Sequence, residues 1–294
     1  RPVVPTAKFS VRQIASSTLA ALFIAACSRG PQLGTAPTPS AVPSDAVAVR
    51  PFDPVHAREA ARRAFPAGWR FDPGSDATFG EKAMVVSVSR YASEAGVEIL
   101  KAGGNAVDAA VATGFALAVT SPSNGNIGGG GFMTIRLTDG RTATLDYREM
   151  APAAASRDMY LGPDGKLTSK STVGHLASGV PGSVAGMSAA LAKYGTMSLA
   201  KVMEPAIRMA RDGFIADSNF TRGGQCSRLI AQFEGKDLFC PGGMAVPVGA
   251  LFKQPDLART LAMIAAQGPK AFYEGSIADS LVAEEQRGGG GRKS

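Results

Sequence analysis

Two clusters in this sequence combine residue types that can hold a small charged molecule. They are Gly128-Gly129-Gly130-Gly131-Phe132-Met133 and Asp146-Tyr147-Arg148-Glu149-Met150-Ala151-Pro152. Glycine has no Cβ, so four in succession let a backbone pass where a side chain would not fit. Arginine presents a planar fork that grips a carboxylate through two parallel hydrogen bonds. The flanking acids Asp146 and Glu149 can hold that fork in place or meet an ammonium group. Together the clusters suit a pocket for a small, amino-acid-like anion. A simpler pattern is also open, in which Arg148 pairs with Asp146 two residues away in a common, weak surface contact.

Positioning these groups is the task of the elements around them. Residues 132–137 read as a strand, Asp139-Gly140 as the residue pair favoured in two-residue hairpin turns, and residues 142–148 as the returning strand. Alternation then puts Ala143, Leu145 and Tyr147 on one face and Thr144, Asp146 and Arg148 on the other, with Arg148 at the strand's end. Upstream, residues 83–89 are rich in β-branched side chains and predict a strand. A helix over 93–101 follows, closed by Gly103-Gly104. Asn105 caps the next helix, with Asp108 near its positive end. That helix carries small and apolar residues on most faces, which predicts burial on nearly all sides. Further on, 195–209 predicts a helix interrupted at Pro205, and 255–267 another, with Leu257, Thr260, Leu261 and Ile264 on one face.

Several blocks in order carry a family resemblance: Ala102-Gly103-Gly104-Asn105-Ala106-Val107-Asp108, the two clusters above, and His175-Leu176-Ala177-Ser178-Gly179-Val180-Pro181-Gly182-Ser183. Ala210-Arg211-Asp212-Gly213-Phe214 and Gly268-Pro269-Lys270-Ala271-Phe272-Tyr273-Glu274-Gly275 complete the series. The region 84–278 resembles the large-subunit portion of bacterial γ-glutamyltranspeptidases, glutathione hydrolases of the N-terminal-nucleophile superfamily. The resemblance implies an α+β chain of four-layer αββα architecture, incomplete here because the small subunit is absent. It implies that Arg148 binds the α-carboxylate of the γ-glutamyl group. It also places the nucleophile on a threonine exposed by self-cleavage at the start of that small subunit, with its own α-amine as base. No catalytic residue is therefore expected in this chain, which reads as a truncated or frameshifted product. Implied partners are glutathione and other γ-glutamyl compounds, acceptor amino acids, peptides or water, and the self-cleaved small subunit, with no cofactor. The alternatives are a non-catalytic lipid-anchored fragment and a relative of the cephalosporin acylases.

The two ends read differently from the middle. Lys8 and Arg12 precede a mostly apolar run over 14–26, and Ile24-Ala25-Ala26-Cys27 follows the pattern of a lipoprotein signal, which makes Cys27 the expected lipidation site. Segment 1–27 is thus an export signal of a lipoprotein type, with a plain secretory signal as the alternative, and the expected location is the periplasm with a lipid anchor in a bacterial membrane. Recurrent prolines make 28–80 a tether. Within it a short helix over 56–64 would align Arg58, Arg62 and Arg63 toward anionic lipid. The folded portion is 81–286, and 287–294 is a flexible glycine-rich tail.

Other chemistries fit the sequence poorly. Of 294 residues, 45% are hydrophobic, enough for one core, and the net charge of +7 comes without a basic, aromatic-interleaved recognition element, so nucleic acid is not an expected partner. His56 and His175 are too few and too far apart for a metal site. His175 near Ser178 is read as a structural histidine and not half of a hydrolase dyad. Neither glycine run has the spacing of a nucleophile elbow or a dinucleotide-binding turn. If Cys27 carries lipid, Cys226 and Cys240 remain as a pair that can bridge in an oxidising compartment.

Overall fold

The computed structural model describes residues 80–222, 226, 233 and 235–288. The expected signal segment, Cys27, the tether with its 56–64 helix, and most of the glycine-rich tail lie outside the described residues.

The centre of the molecule is the helix with no polar face. Helix α1 spans Arg90–Lys101 and α2 spans Ala106–Thr120. On α2, Val111, Ala112, Phe115, Ala116 and Val119 are all fully buried, and only the stripe from Ala106 and Ala110, both exposed, to the half-buried Gly114 and Leu117 reaches the surface, so nearly all of the helix meets protein, as its composition predicts. Burying a side chain such as Phe115 stabilises the fold by roughly 1.5–3 kcal/mol. The start of α2 is fixed by a reciprocal cap. Asn105 accepts the N–H groups of Val107 (2.8 Å) and Asp108 (3.0 Å), and the Asp108 carboxylate accepts the N–H of Asn105 (2.7 Å).

Around α2 pack α1, α3 (Ser183–Tyr194) and α4 (Leu199–Asp212), and α4 in turn packs on α5 (Pro255–Gln267). The interrupted helix expected over 195–209 is in fact α4. It starts four residues later, where the Ser198 hydroxyl accepts the N–H of Lys201 at 3.2 Å, and it continues through Pro205 to Asp212. Pro205 forfeits one intrahelical hydrogen bond, yet it is fully buried in the core, and this packing outweighs the local loss. Helix α5 matches its expected bounds, with Leu261 and Ile264 buried on the predicted face.

Strands are few among the described residues. Strands β1 (Phe132–Arg136) and β2 (Thr142–Asp146) form an antiparallel hairpin, and β3 (Phe214–Ile215) pairs with β4 (Leu251–Phe252). The hairpin loop has three residues, not two. The N–H of Leu137 bonds the carbonyl of Arg141 (2.8 Å), and Gly140 takes a positive φ of 85°. A three-residue loop needs a left-handed residue only at its last position, so glycine follows the aspartate for that reason. Asp139 reinforces the loop by accepting both the backbone N–H and the Nε–H of Arg141.

The strand expected over 83–89 forms no ladder with any described residue, and Val86 and Val88 are 79% and 64% exposed. Strand propensity measures fit to a half-buried pleated surface, and no described strand lies alongside to supply one. The last described helix, α6 (Ser276–Arg287), follows the short turn Lys270–Tyr273.

Candidate functional site

Two glycine segments and one tyrosine build the seat of Arg148. The β1–β2 register pairs Phe132 with Asp146, and the next pair continues it: Gly131 and Tyr147 exchange both backbone hydrogen bonds, at 3.2 and 2.9 Å. Directly across from Arg148 therefore lies Gly130. A Cβ there would stand 2.5 Å from the Tyr147 carbonyl oxygen and 2.7 Å from the Glu149 nitrogen, so no side chain fits. The sequence expectation of a backbone that passes another segment closely is met at this residue.

The chain after Tyr147 is held from a second side. Met150 and Val180 exchange backbone hydrogen bonds (3.1 and 2.8 Å), and the N–H groups of Gly182 and Ser183 both donate to the Gly129 carbonyl (2.8 and 3.0 Å). Substituents at Gly182 or Gly186 would collide with Tyr147, whose ring rests on the first turn of α3. Partial burial raises the phenol's pKa, so Tyr147 acts as a neutral packing group. Tyr273 fastens the same turn: its hydroxyl donates to the Pro181 carbonyl (3.0 Å) and accepts the N–H of Ala185 (3.1 Å). The roles of Gly182, Gly186 and Tyr273 are contacts between distant segments and cannot be found from spacing along the chain.

Arg148 points from this seat on the polar face, with 63% of its side chain exposed. Its Nε–H donates to Glu149 Oε2 at 3.0 Å, and its backbone N–H donates to Asp146 Oδ1 at 3.0 Å. The simpler pattern, a guanidinium paired with Asp146, is not what forms. Asp146 binds the Arg148 backbone, and the guanidinium belongs to Glu149. The two Nη groups have no hydrogen-bond partner among the described residues. Glu149's pKa is lowered, first by its own backbone N–H, then by the Arg148 hydrogen bond and charge, with the N–H of Gly130 contributing. The result is a cation whose side is anchored to a firmly ionised carboxylate and whose end faces outward. Chemically this end can donate two parallel hydrogen bonds, from Nη1 and Nη2, to a planar anion.

The remaining candidates fall elsewhere. Cys226 and Cys240 have Cα atoms 4.9 Å apart, within the range a disulfide requires. We propose that they bridge, closing a span of 14 residues, with a stabilisation of about 3 kcal/mol in the chain-entropy model. Intact mass after alkylation should rise by two labels at these cysteines only when the protein is first reduced. Labelling at both without reduction would remove the bridge. His175 Nε2 meets Glu284 Oε1 at 3.0 Å and does not engage the Ser178 hydroxyl, in keeping with a structural histidine. Among the described residues no group of three or more His, Cys, Asp or Glu could hold a metal. A groove of about 600 Å³ between α3 and 268–274 is lined mainly by apolar side chains and does not include Arg148.

The gamma-glutamyltranspeptidase family profile matches residues 92–292, which include the whole of this seat. The chain belongs to the γ-glutamyltranspeptidase family. A glutathione hydrolase proenzyme of Escherichia coli is 52% identical over 217 residues, covering 71% of this chain and 37% of that protein. The γ-glutamyltranspeptidase structure from Helicobacter pylori superposes with a TM-score of 0.69 at 40% identity, over 73% of this chain and 62% of that one. A cephalosporin acylase from Bacillus halodurans is more distant, with a TM-score of 0.62 at 29% identity over 76% of this chain and 44% of that one. The chain thus belongs by family to enzymes of the hydrolase and transferase class, within the N-terminal-nucleophile superfamily. It spans 37% of the length of the Escherichia coli relative.

Proposed function

We propose that this chain supplies the carboxylate-binding part of a γ-glutamyltransferase and glutathione hydrolase site, with Arg148 as the clasp for the α-carboxylate of the γ-glutamyl group. The observation that carries this reading is the arrangement of Arg148. Its backbone is tied to Asp146 and its Nε to Glu149, which leaves both Nη groups for a bidentate anion. A clasp fixed at one end of glutamate sets the distance at which the γ-carbonyl presents itself. The binding energy of the acid end is thereby used to orient the bond to be broken.

The nucleophile in this proposal is a threonine supplied by sequence beyond these 294 residues, at the head of a self-cleaved small subunit. Its hydroxyl attacks the γ-carbonyl while its α-amine takes the proton. The α-ammonium returns that proton to the leaving amine as the C–N bond breaks, and water or an acceptor amino acid or peptide resolves the acyl-enzyme. That further sequence would complete the αββα sandwich. Residues 83–89, with Val86 and Val88 exposed, and the open edges of β1–β2 are where added strands would pair. Export to the periplasm and lipid attachment through Cys27 belong to this proposal as well. Among the described residues, no helix is long and apolar enough to cross a membrane.

The proposal is tested with the purified 294-residue polypeptide. It should bind L-glutamate in a saturable manner and release no product from a γ-glutamyl anilide. Hydrolysis would overturn the location of the nucleophile, and absence of glutamate binding would overturn the role of Arg148.

A further inference from the structure

Phe132 is a large apolar side chain left 62% exposed on the first residue of β1. Its position is specific. It lies across the ladder from Asp146 and diagonal to Arg148, on the same face as both. The Arg148 Cζ stands 6.0 Å from the centre of its ring. Gly130, directly opposite Arg148, has no side chain to lend, so the diagonal ring is the neighbour that this face of the hairpin offers the guanidinium.

We propose that Phe132 is a positioning residue that orients the plane of the Arg148 guanidinium for an incoming carboxylate. This rests on the reading of Arg148 as the carboxylate clasp. The physical need follows from the other restraints. The backbone hydrogen bond to Asp146 fixes where the side chain starts, and the Nε bond to Glu149 fixes one point near its end. A single hydrogen bond is a pivot, about which the plane of the fork can still turn. Bidentate capture requires both Nη groups to lie in the plane of the arriving carboxylate. An aromatic face beside the guanidinium favours one plane over the others and lowers the entropy lost on binding. The exposure of the ring is explained by this role, because a ring buried in the core could not flank a group that must face solvent.

The test uses the 294-residue chain with arginine side chains labelled with nitrogen-15. The Nε–H resonance of Arg148 is compared in the parent, Phe132→Leu and Phe132→Trp proteins, and each is titrated with L-glutamate. In Phe132→Leu the ring-current contribution to the Arg148 Hε shift should vanish, and glutamate affinity should fall by about two- to fivefold, the usual effect of an exposed cation–π contact. Phe132→Trp should restore both. An Arg148 resonance and an affinity unchanged in Phe132→Leu would overturn the inference. So would an equal loss in the leucine and tryptophan variants, since the aromatic face would then not be the cause. If glutamate fails to shift the Arg148 resonance in the parent protein, the clasp reading fails. The inference that depends on it falls with it, whereas a shift in the parent with no response to Phe132→Leu sinks the inference alone.

Discussion

The Arg148→Lys variant is expected to bind γ-glutamyl compounds about ten- to a hundredfold more weakly, the cost of one charge-assisted hydrogen bond of about 1.5–3 kcal/mol. Lysine keeps the positive charge, so an effect of simple electrostatic attraction would survive the change. What is lost is geometry. The guanidinium reaches Glu149 with Nε at 3.0 Å and still offers two Nη groups, whereas an ammonium drawn to Glu149 has no second, coplanar pair of donors. Titration of the parent and variant chains with L-glutamate decides the point. Equal affinities would mean that the fork is not the binding element.

A second large effect is expected far from the clasp. Asp108 is fully buried and accepts four hydrogen bonds, one of them the cap of its own helix: Oδ1 from the N–H groups of Thr196 (2.9 Å) and Met197 (3.1 Å), Oδ2 from the Thr196 hydroxyl (2.6 Å) and, at the cap, the N–H of Asn105 (2.7 Å). It thereby joins the start of α2 to the turn that leaves α3, the helix on which Tyr147 rests. Replacing Asp108 with alanine leaves these donors buried without an acceptor and should cost about 3 kcal/mol or more of folding stability. Urea denaturation of the parent and variant measures it, and a loss below about 1 kcal/mol would contradict the assigned role.

The same residue predicts a pH dependence. Burial pushes the Asp108 carboxyl upward, but the hydrogen bonds from Thr196, Asn105 and Met197 outweigh it, and the pKa in the folded protein lies below the ordinary carboxyl value. The stabilisation it provides is therefore complete above about pH 4, where the unfolded chain's carboxyl is already ionised, and is lost as the pH falls through the lower folded-state value. Removing Asp108 should flatten the acid limb of the stability profile in that window.

Much of this architecture is written locally in the sequence. The Asn105–Asp108 cap, the all-apolar face pattern of α2, the bounds of α5 and the alternation that exposes Arg148 each depend on neighbours along the chain. The failures share a different cause. Residues 83–89 carry strand propensity but no described partner strand, and Pro205 sits inside a helix because tertiary packing overrides the local loss. At the site, Arg148 and its two acids could be named from the sequence. The division of labour between Asp146 and Glu149 could not, because both carboxylates lie within two residues of Arg148 and spacing along the chain does not choose between them. The grip of Gly182, Gly186 and Tyr273 on Tyr147 and its turn joins segments dozens of residues apart, and only the folded chain brings them together.

In the proposed site the outward end of the Arg148 guanidinium takes the acid end of glutamate. A crystal structure of this chain with L-glutamate tests it most directly. The α-carboxylate is expected in the plane of the guanidinium, within hydrogen-bond distance of both Nη groups, with Nε still on Glu149. Glutamate bound elsewhere on the protein, or Arg148 turned so that both Nη groups meet neighbouring protein groups, would contradict it.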